Sequence, residues 1–122
     1  MNVPTIRYPA PPAQVAVYVE IMGPKMAMDF LLAFGGAPLE HHERTTARSR
    51  IAAVVGPEHA RALAQENHRL QPRVPLATRW LAACLKAEGQ SVHDIARKLR
   101  CSDVTVRKYL RAQEAAEARR RS

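Results

Sequence analysis

The chain has 122 residues, room for one modest core or two small subdomains. It holds no apolar run of about 18 residues, and residues 1–12 lack the basic-then-apolar order of a signal peptide; we therefore set aside a membrane or exported protein and expect a soluble, cytoplasmic one. Its net charge of +8 is uneven, with seven Lys/Arg against six acids in residues 1–72 and twelve against five in residues 73–122, which points to a densely negative partner for the C-terminal part.

Residues 1–13 contain four of the nine prolines (Pro4, Pro9, Pro11, Pro12) and read as an extended arm. A short helix follows over Ala13–Met22. The chain then repeats itself: Met22-Gly23-Pro24-Lys25-Met26-Ala27 aligns with Val55-Gly56-Pro57-Glu58-His59-Ala60 at an offset of 33. Each Gly-Pro opens a helix, with Pro in the first turn where its missing N–H does no harm. The first helix is expected to reach Phe34 and the second Glu66. Each ends in a break (Gly35-Gly36, Asn67-His68) and a short segment around a leucine (Pro38-Leu39-Glu40, Arg69-Leu70-Gln71), read as a brief strand. Such strands are marginal alone and should pair with each other or across a dimer. Met26, Phe30, Leu31 and Phe34 stripe the first helix, and Ala60, Leu63 and Ala64 the second. Met26, Phe30, Phe34, Leu39 and Leu70 are the expected dimer contacts. Glu43–Arg50 reads as a polar loop before Ile51, Ala52, Val54 and Val55 return to the core.

Leu76, Trp80, Leu81, Cys84 and Leu85 fall at helical spacing on a helix expected over Ala77–Lys86, and Gly89 is its stop. Ser91 caps the next helix, with Asp94 three residues on approximating a capping box. Val92, Ile95, Ala96 and Leu99 form its buried face, and the small Ala96 permits close approach of a second helix. After the turn Arg100-Cys101, Ser102 caps a third helix with Val106 and Leu110 facing inward and Tyr109 at the margin. Arg100 stands where such turns commonly carry Gly. Two short helices joined by a tight turn, the second with a basic and small-polar free face, is the pattern of a helix-turn-helix, which points to double-stranded DNA as the expected partner. Ser102, Asp103, Val104, Thr105, Arg107, Lys108 and Arg111 are the solvent-side residues expected at the DNA, with Ser91 and Arg100 beside them. Val104 and Thr105 suit thymine methyls. Arg107 or Lys108 suits guanine acceptors, the other pairing with phosphate. The tail, residues 112–122, extends this helix or frays, and its three arginines can neutralise phosphates.

A helix ending Ala33-Phe34-Gly35-Gly36, a strand, a Gly-Pro-Glu helix, a second strand ending Pro72-Arg73, then a helix-turn-helix: in this order the chain resembles the Mor (middle operon regulator) family of phage transcription activators over roughly residues 14–111. The resemblance implies an N-terminal part that dimerises through helices and strands, and two C-terminal units on a palindromic promoter element. Where the family carries an aromatic and Ile-Pro after the strand leucine, this chain reads Leu39-Glu40-His41-His42 and Leu70-Gln71-Pro72-Arg73.

The expected architecture is therefore mainly α: an arm (1–13), a small α/β dimerisation part with short strands (14–73), a trihelical helix-turn-helix (74–111) and a basic tail (112–122). The expected function is a homodimeric, sequence-specific regulator of phage or prophage type that contacts RNA polymerase, with repression fitting the residues equally well. A phage packaging protein of the small-terminase kind and a helix-turn-helix turned protein-binding module are the other classes that fit. An enzyme is not expected. His41-His42-Glu43 lacks the spacing of a zinc hydrolase motif, no His/Cys quartet completes it, and no phosphate loop or nucleophile elbow occurs, so no metal, cofactor or small-molecule substrate is expected. Cys84 and Cys101 read as inert core thiols.

Overall fold

The computed structural model of the chain describes residues 6–37 and 45–121. Among them are seven α-helices: α1 (Ala13–Met22), α2 (Pro24–Phe34), α3 (Thr45–Val55), α4 (Pro57–Gln65), α5 (Thr78–Ala87), α6 (Val92–Leu99) and α7 (Asp103–Arg121). None of the described helices is long and apolar enough to cross a membrane. The chain divides into two compact units, Pro11–Ala77 on one side and Thr78–Ser122 with Met1–Ala10 on the other.

The first unit is built on the internal repeat, which reaches further back than the Gly-Pro pairs. α1 is matched by α3 and α2 by α4, so each copy is a helix–Gly-Pro–helix hairpin. Gly23 (φ 81°, ψ 163°) and Gly56 (φ 90°, ψ 157°) take nearly the same conformation, one that a side chain would strain. The hydrogen bonds around them repeat in register. Gly23 N–H donates to the Val19 carbonyl at 2.7 Å and Gly56 N–H to that of Ala52 at 2.8 Å. Met22 and Val55, Ala27 and Ala60, and Phe30 and Leu63 are matching positions, and all six are buried. Tyr18 stacks on Phe30 with ring centroids 5.3 Å apart, and Phe34 lies 5.1 Å from Phe30 on another side. Burial pushes the Tyr18 phenol up to about 12, and its hydroxyl has no hydrogen-bond partner among the described residues.

Three expectations for this unit are corrected. The polar stretch read as a loop up to Arg50 is helical from Thr45, because α3 is the second copy of α1 and its arginines and alanines are sound helix formers. The small α/β part is not found, since no strand occurs among the described residues. Asn67–Arg69 is instead a single 3-10 turn closing α4, and Leu70 that follows it is extended. Pro72 and Pro75 remove two of the donors a strand would need there. What remains is one rung, Gly36 N–H to the Val74 carbonyl at 2.7 Å and Val74 N–H to the Ala37 carbonyl at 2.9 Å. Leu39 and the expected first strand lie outside the described residues. Phe30, expected at a dimer contact, is 0% exposed within its own chain and has no surface to offer a partner. Met26, Phe34 and Leu70 are half-buried.

In the second unit α5, α6 and α7 pack around Trp80, Leu81, Cys84, Leu85, Ile95, Ala96 and Val106, all buried. Leu76 does not join the α5 stripe. Ala77 takes a positive φ of 51° and α5 starts only at Thr78, which leaves Leu76 61% exposed. Leu99 and Val92 are half-buried rather than buried. The described part of the arm is divided, with residues 6–10 belonging with these three helices and residues from Pro11 on with the first unit. The Pro9 carbonyl accepts the Trp80 indole N–H at 2.9 Å, and the Tyr8 hydroxyl donates to Glu88 at 2.7 Å. The tail is not separate either, being the second half of α7.

Candidate nucleic-acid interface

Two helix ends of the second unit close with the same motif. After α5, Gln90 N–H donates to the Leu85 carbonyl at 3.1 Å and Gly89 N–H to that of Lys86 at 2.9 Å. After α6, Cys101 N–H donates to the Ala96 carbonyl at 3.0 Å and Arg100 N–H to that of Arg97 at 3.4 Å. These paired bonds satisfy carbonyls that a helix end otherwise leaves bare, and they need one residue in the left-handed region. Gly89 supplies it with φ 90° at the first end. Arg100 supplies it at the second, with φ 56° and ψ 50°, at a steric cost that glycine would not incur.

Serines start both following helices. Ser91 Oγ accepts the Asp94 N–H at 3.1 Å, forming the serine half of the expected capping box. Ser102 Oγ accepts the Thr105 N–H at 3.1 Å, and the Ser102 and Thr105 hydroxyls lie 2.9 Å apart. The Thr105 hydroxyl is thus engaged in the cap and its side chain is half-buried, so it is less of a free reading group than its spacing suggests. His93 Nδ1 stands 3.9 Å from Asp103 Oδ1, linking the first turns of α6 and α7 when the histidine is protonated.

The close approach of α6 to α7 is made at small and branched side chains: Ala96 is 4% exposed, and Ile95 and Val106 are both 0%. With Val106 turned into that core, the opposite side of α7 faces water. Val104 is 60% exposed there, and Arg107, Lys108 and Arg111 are exposed beside it. Ser91, Arg100 and Ser102 are exposed at the helix ends, and Asp103 is half-buried against His93. The structure therefore brings Val104, Arg107, Lys108 and Arg111 onto one face.

Two features of this unit were not legible beforehand. Arg97 and Lys98 are exposed on α6 and, with Gln90 and Asp94, line a shallow hollow. Their position opposite the α6 apolar stripe was the available signal. The arm's attachment was the other. A buried indole N–H requires an acceptor, but nothing local to Trp80 says that it is Pro9.

Both cysteines are free thiols, Cys84 buried and Cys101 half-buried. Burial, with a smaller contribution from Glu88, pushes the Cys84 thiol up to about 12. No group of three His, Cys, Asp or Glu side chains among the described residues is placed to hold a metal ion, and His41-His42-Glu43 lies outside them. Comparison of the chain with protein-family models, curated proteins and solved structures finds no match.

Proposed function

We propose that the protein is a sequence-specific DNA-binding transcriptional regulator, of the Mor-like phage or prophage type, that acts as a homodimer on a palindromic site. The observation that carries this reading is the α6–turn–α7 geometry, in which a capped helix packs on Ala96 and turns Val104, Arg107, Lys108 and Arg111 to water together. Charge supports it, since twelve of the nineteen Lys/Arg lie in residues 73–122.

In this reading the first turns of α7 enter the major groove. Val104 meets a thymine methyl, while Arg107 or Lys108 reaches the acceptors of a guanine. The remaining cation, Arg111 and Arg100 pair with phosphates, and the N-terminus of α6 at Ser91 sits against the backbone. Dimerisation falls to the N-terminal unit, with Met26, Phe34 and Leu70 among its partly exposed apolar residues, which also include Leu32 and Leu76. Spacing of two such units sets the spacing of two half-sites. Contact with RNA polymerase would make the protein an activator, and occlusion of a promoter a repressor.

Titration of a fluorescent random-sequence duplex at near-physiological salt tests the reading. Wild-type protein should bind, and Arg107→Ala and Lys108→Ala should each weaken binding without moving the unfolding midpoint. Unchanged affinity and salt dependence in both variants would show that α7 is not the reader. A ring-sized molar mass in solution would favour a packaging protein instead.

A further inference from the structure

α7 runs from Asp103 to Arg121, nineteen residues and about 28 Å of helix, well beyond the two or three turns that base reading occupies. Its second half is two-sided. Leu110, Gln113 and Glu117 lie on the side of the buried Val106 and are half-buried. Gln113 Nε2 donates to Glu117 Oε1 at 3.2 Å. Glu114 and Glu117 both line the groove that α7 forms with α5 and with Arg7, Tyr8 and Pro9 of the arm. Glu117 is thereby turned to the groove side, while Glu114 stays exposed at the groove's rim.

The other side carries Arg107, Lys108, Arg111, Ala115, Ala118 and Arg119, at the three- and four-residue steps of one helix stripe, and all are exposed. This stripe holds cations and small side chains, with one acid, the exposed Glu114, at its edge three residues after Arg111. From Arg107 to Arg119 it extends about 18 Å, longer than the roughly 12 Å width of a major groove. A helix seated at base edges by Arg107 therefore carries Arg119 out past the groove wall. Alanines at 115 and 118 leave room for a close surface between the two.

We propose that the outer stripe of the second half of α7, Ala115 to Arg119, is a second DNA-contacting surface that grips the phosphate backbone beside the site read by the first half. This rests on the DNA-binding reading above. It assigns different work to the two halves of one helix: base discrimination to residues 104–108, and sequence-independent, salt-sensitive affinity to Arg119. Each phosphate neutralised adds about 0.9 to the slope of log affinity against log salt.

The test is binding of a random-sequence duplex by the full chain across about 50 to 200 mM salt. Arg119→Ala should flatten the slope by about 0.9, so that wild type loses roughly 3.5-fold more affinity than the variant over that range. Ala115→Glu, a helix-compatible change at an exposed position, should weaken binding at low salt and approach wild type at high salt. Ala87→Glu, the same charge change on the groove side, should leave binding as it is. Wild-type binding with an unchanged slope in Arg119→Ala and unchanged affinity in Ala115→Glu would overturn the second surface and leave the reading of α7's first half intact. No duplex binding by the wild type would overturn both.

Discussion

Helices α1–α4 bury Tyr18, Met22, Met28 and Phe30 within a duplicated pair of hairpins, whereas α5–α7 bury Trp80, Leu85, Ile95 and Val106 beneath a cationic surface. In the first unit each copy is organised by one glycine-proline joint, and the two copies meet as α1 on α4 and α2 on α3. A surface ion pair there, Arg69 to Glu20 at 2.7 Å, is largely exposed and contributes little in water. In the second unit the helices are not duplicated, and the ends that join them are specified residue by residue through Ser91, Ser102, Gly89 and Arg100. The contrast separates two ways of holding a small helical core. One relies on a repeated tertiary partner and the other on local caps. Local capping leaves the outer face of α7 without a structural task, and that is the face where the cations collect.

Breaking each core should show the largest effects. Ile95→Asp places an unpaired carboxylate where no solvent reaches and should unfold the second unit. Trp80 is the only tryptophan, so its emission should shift to that of exposed indole at ambient temperature. Native-like emission from this variant would mean that the core has been misplaced. Phe30→Ala removes the ring that stacks on Tyr18 and lies against Phe34, and should cost about 3–5 kcal/mol in denaturant unfolding followed by far-UV circular dichroism.

Changes at the helix caps should have smaller effects. Ser102→Ala leaves the Thr105 N–H without its acceptor and should cost about 1 kcal/mol. Arg100→Gly should act in the opposite direction, raising stability by about 1 kcal/mol through relief of the left-handed conformation while weakening duplex binding. A destabilised Arg100→Gly protein would show that the arginine side chain has a packing role. Smallest of all, Tyr18→Phe deletes a buried hydroxyl that lacks a partner among the described residues, so the unfolding midpoint should hold or rise.

Much of the second unit was legible because its signals are local. Serine caps, the Gly89 stop, the 3- and 4-residue spacing of Ile95, Ala96 and Leu99, and the left-handed position at Arg100 each act within a few residues. Leu76 misled for the same reason: it shares the periodicity of α5 but precedes the helix, and only the positive φ at Ala77 removes it. The first unit was read less well because its order is not local. The Gly-Pro repeat is visible in the sequence, yet the first half of α3, up to Arg50, reads as a loop because its helix follows from the copied hairpin rather than from its own polar residues. Short polar segments around Leu70 looked like strands for want of any sign that a 3-10 turn and two prolines would take them out of a ladder. The Pro9 and Tyr8 attachments join residues more than seventy positions apart, beyond the reach of any spacing rule.

In the proposed reading, the first turns of α7 read bases while two copies of the chain set the spacing. Selection of sites from a random duplex pool at near-physiological salt, run in parallel with wild type and Arg107→Ala, tests it most directly. Wild type should yield two inverted half-sites at fixed spacing, and the variant should lose preference at one position of each half-site. Recovery of unselected DNA by both proteins, or of the same motif by both, would contradict it.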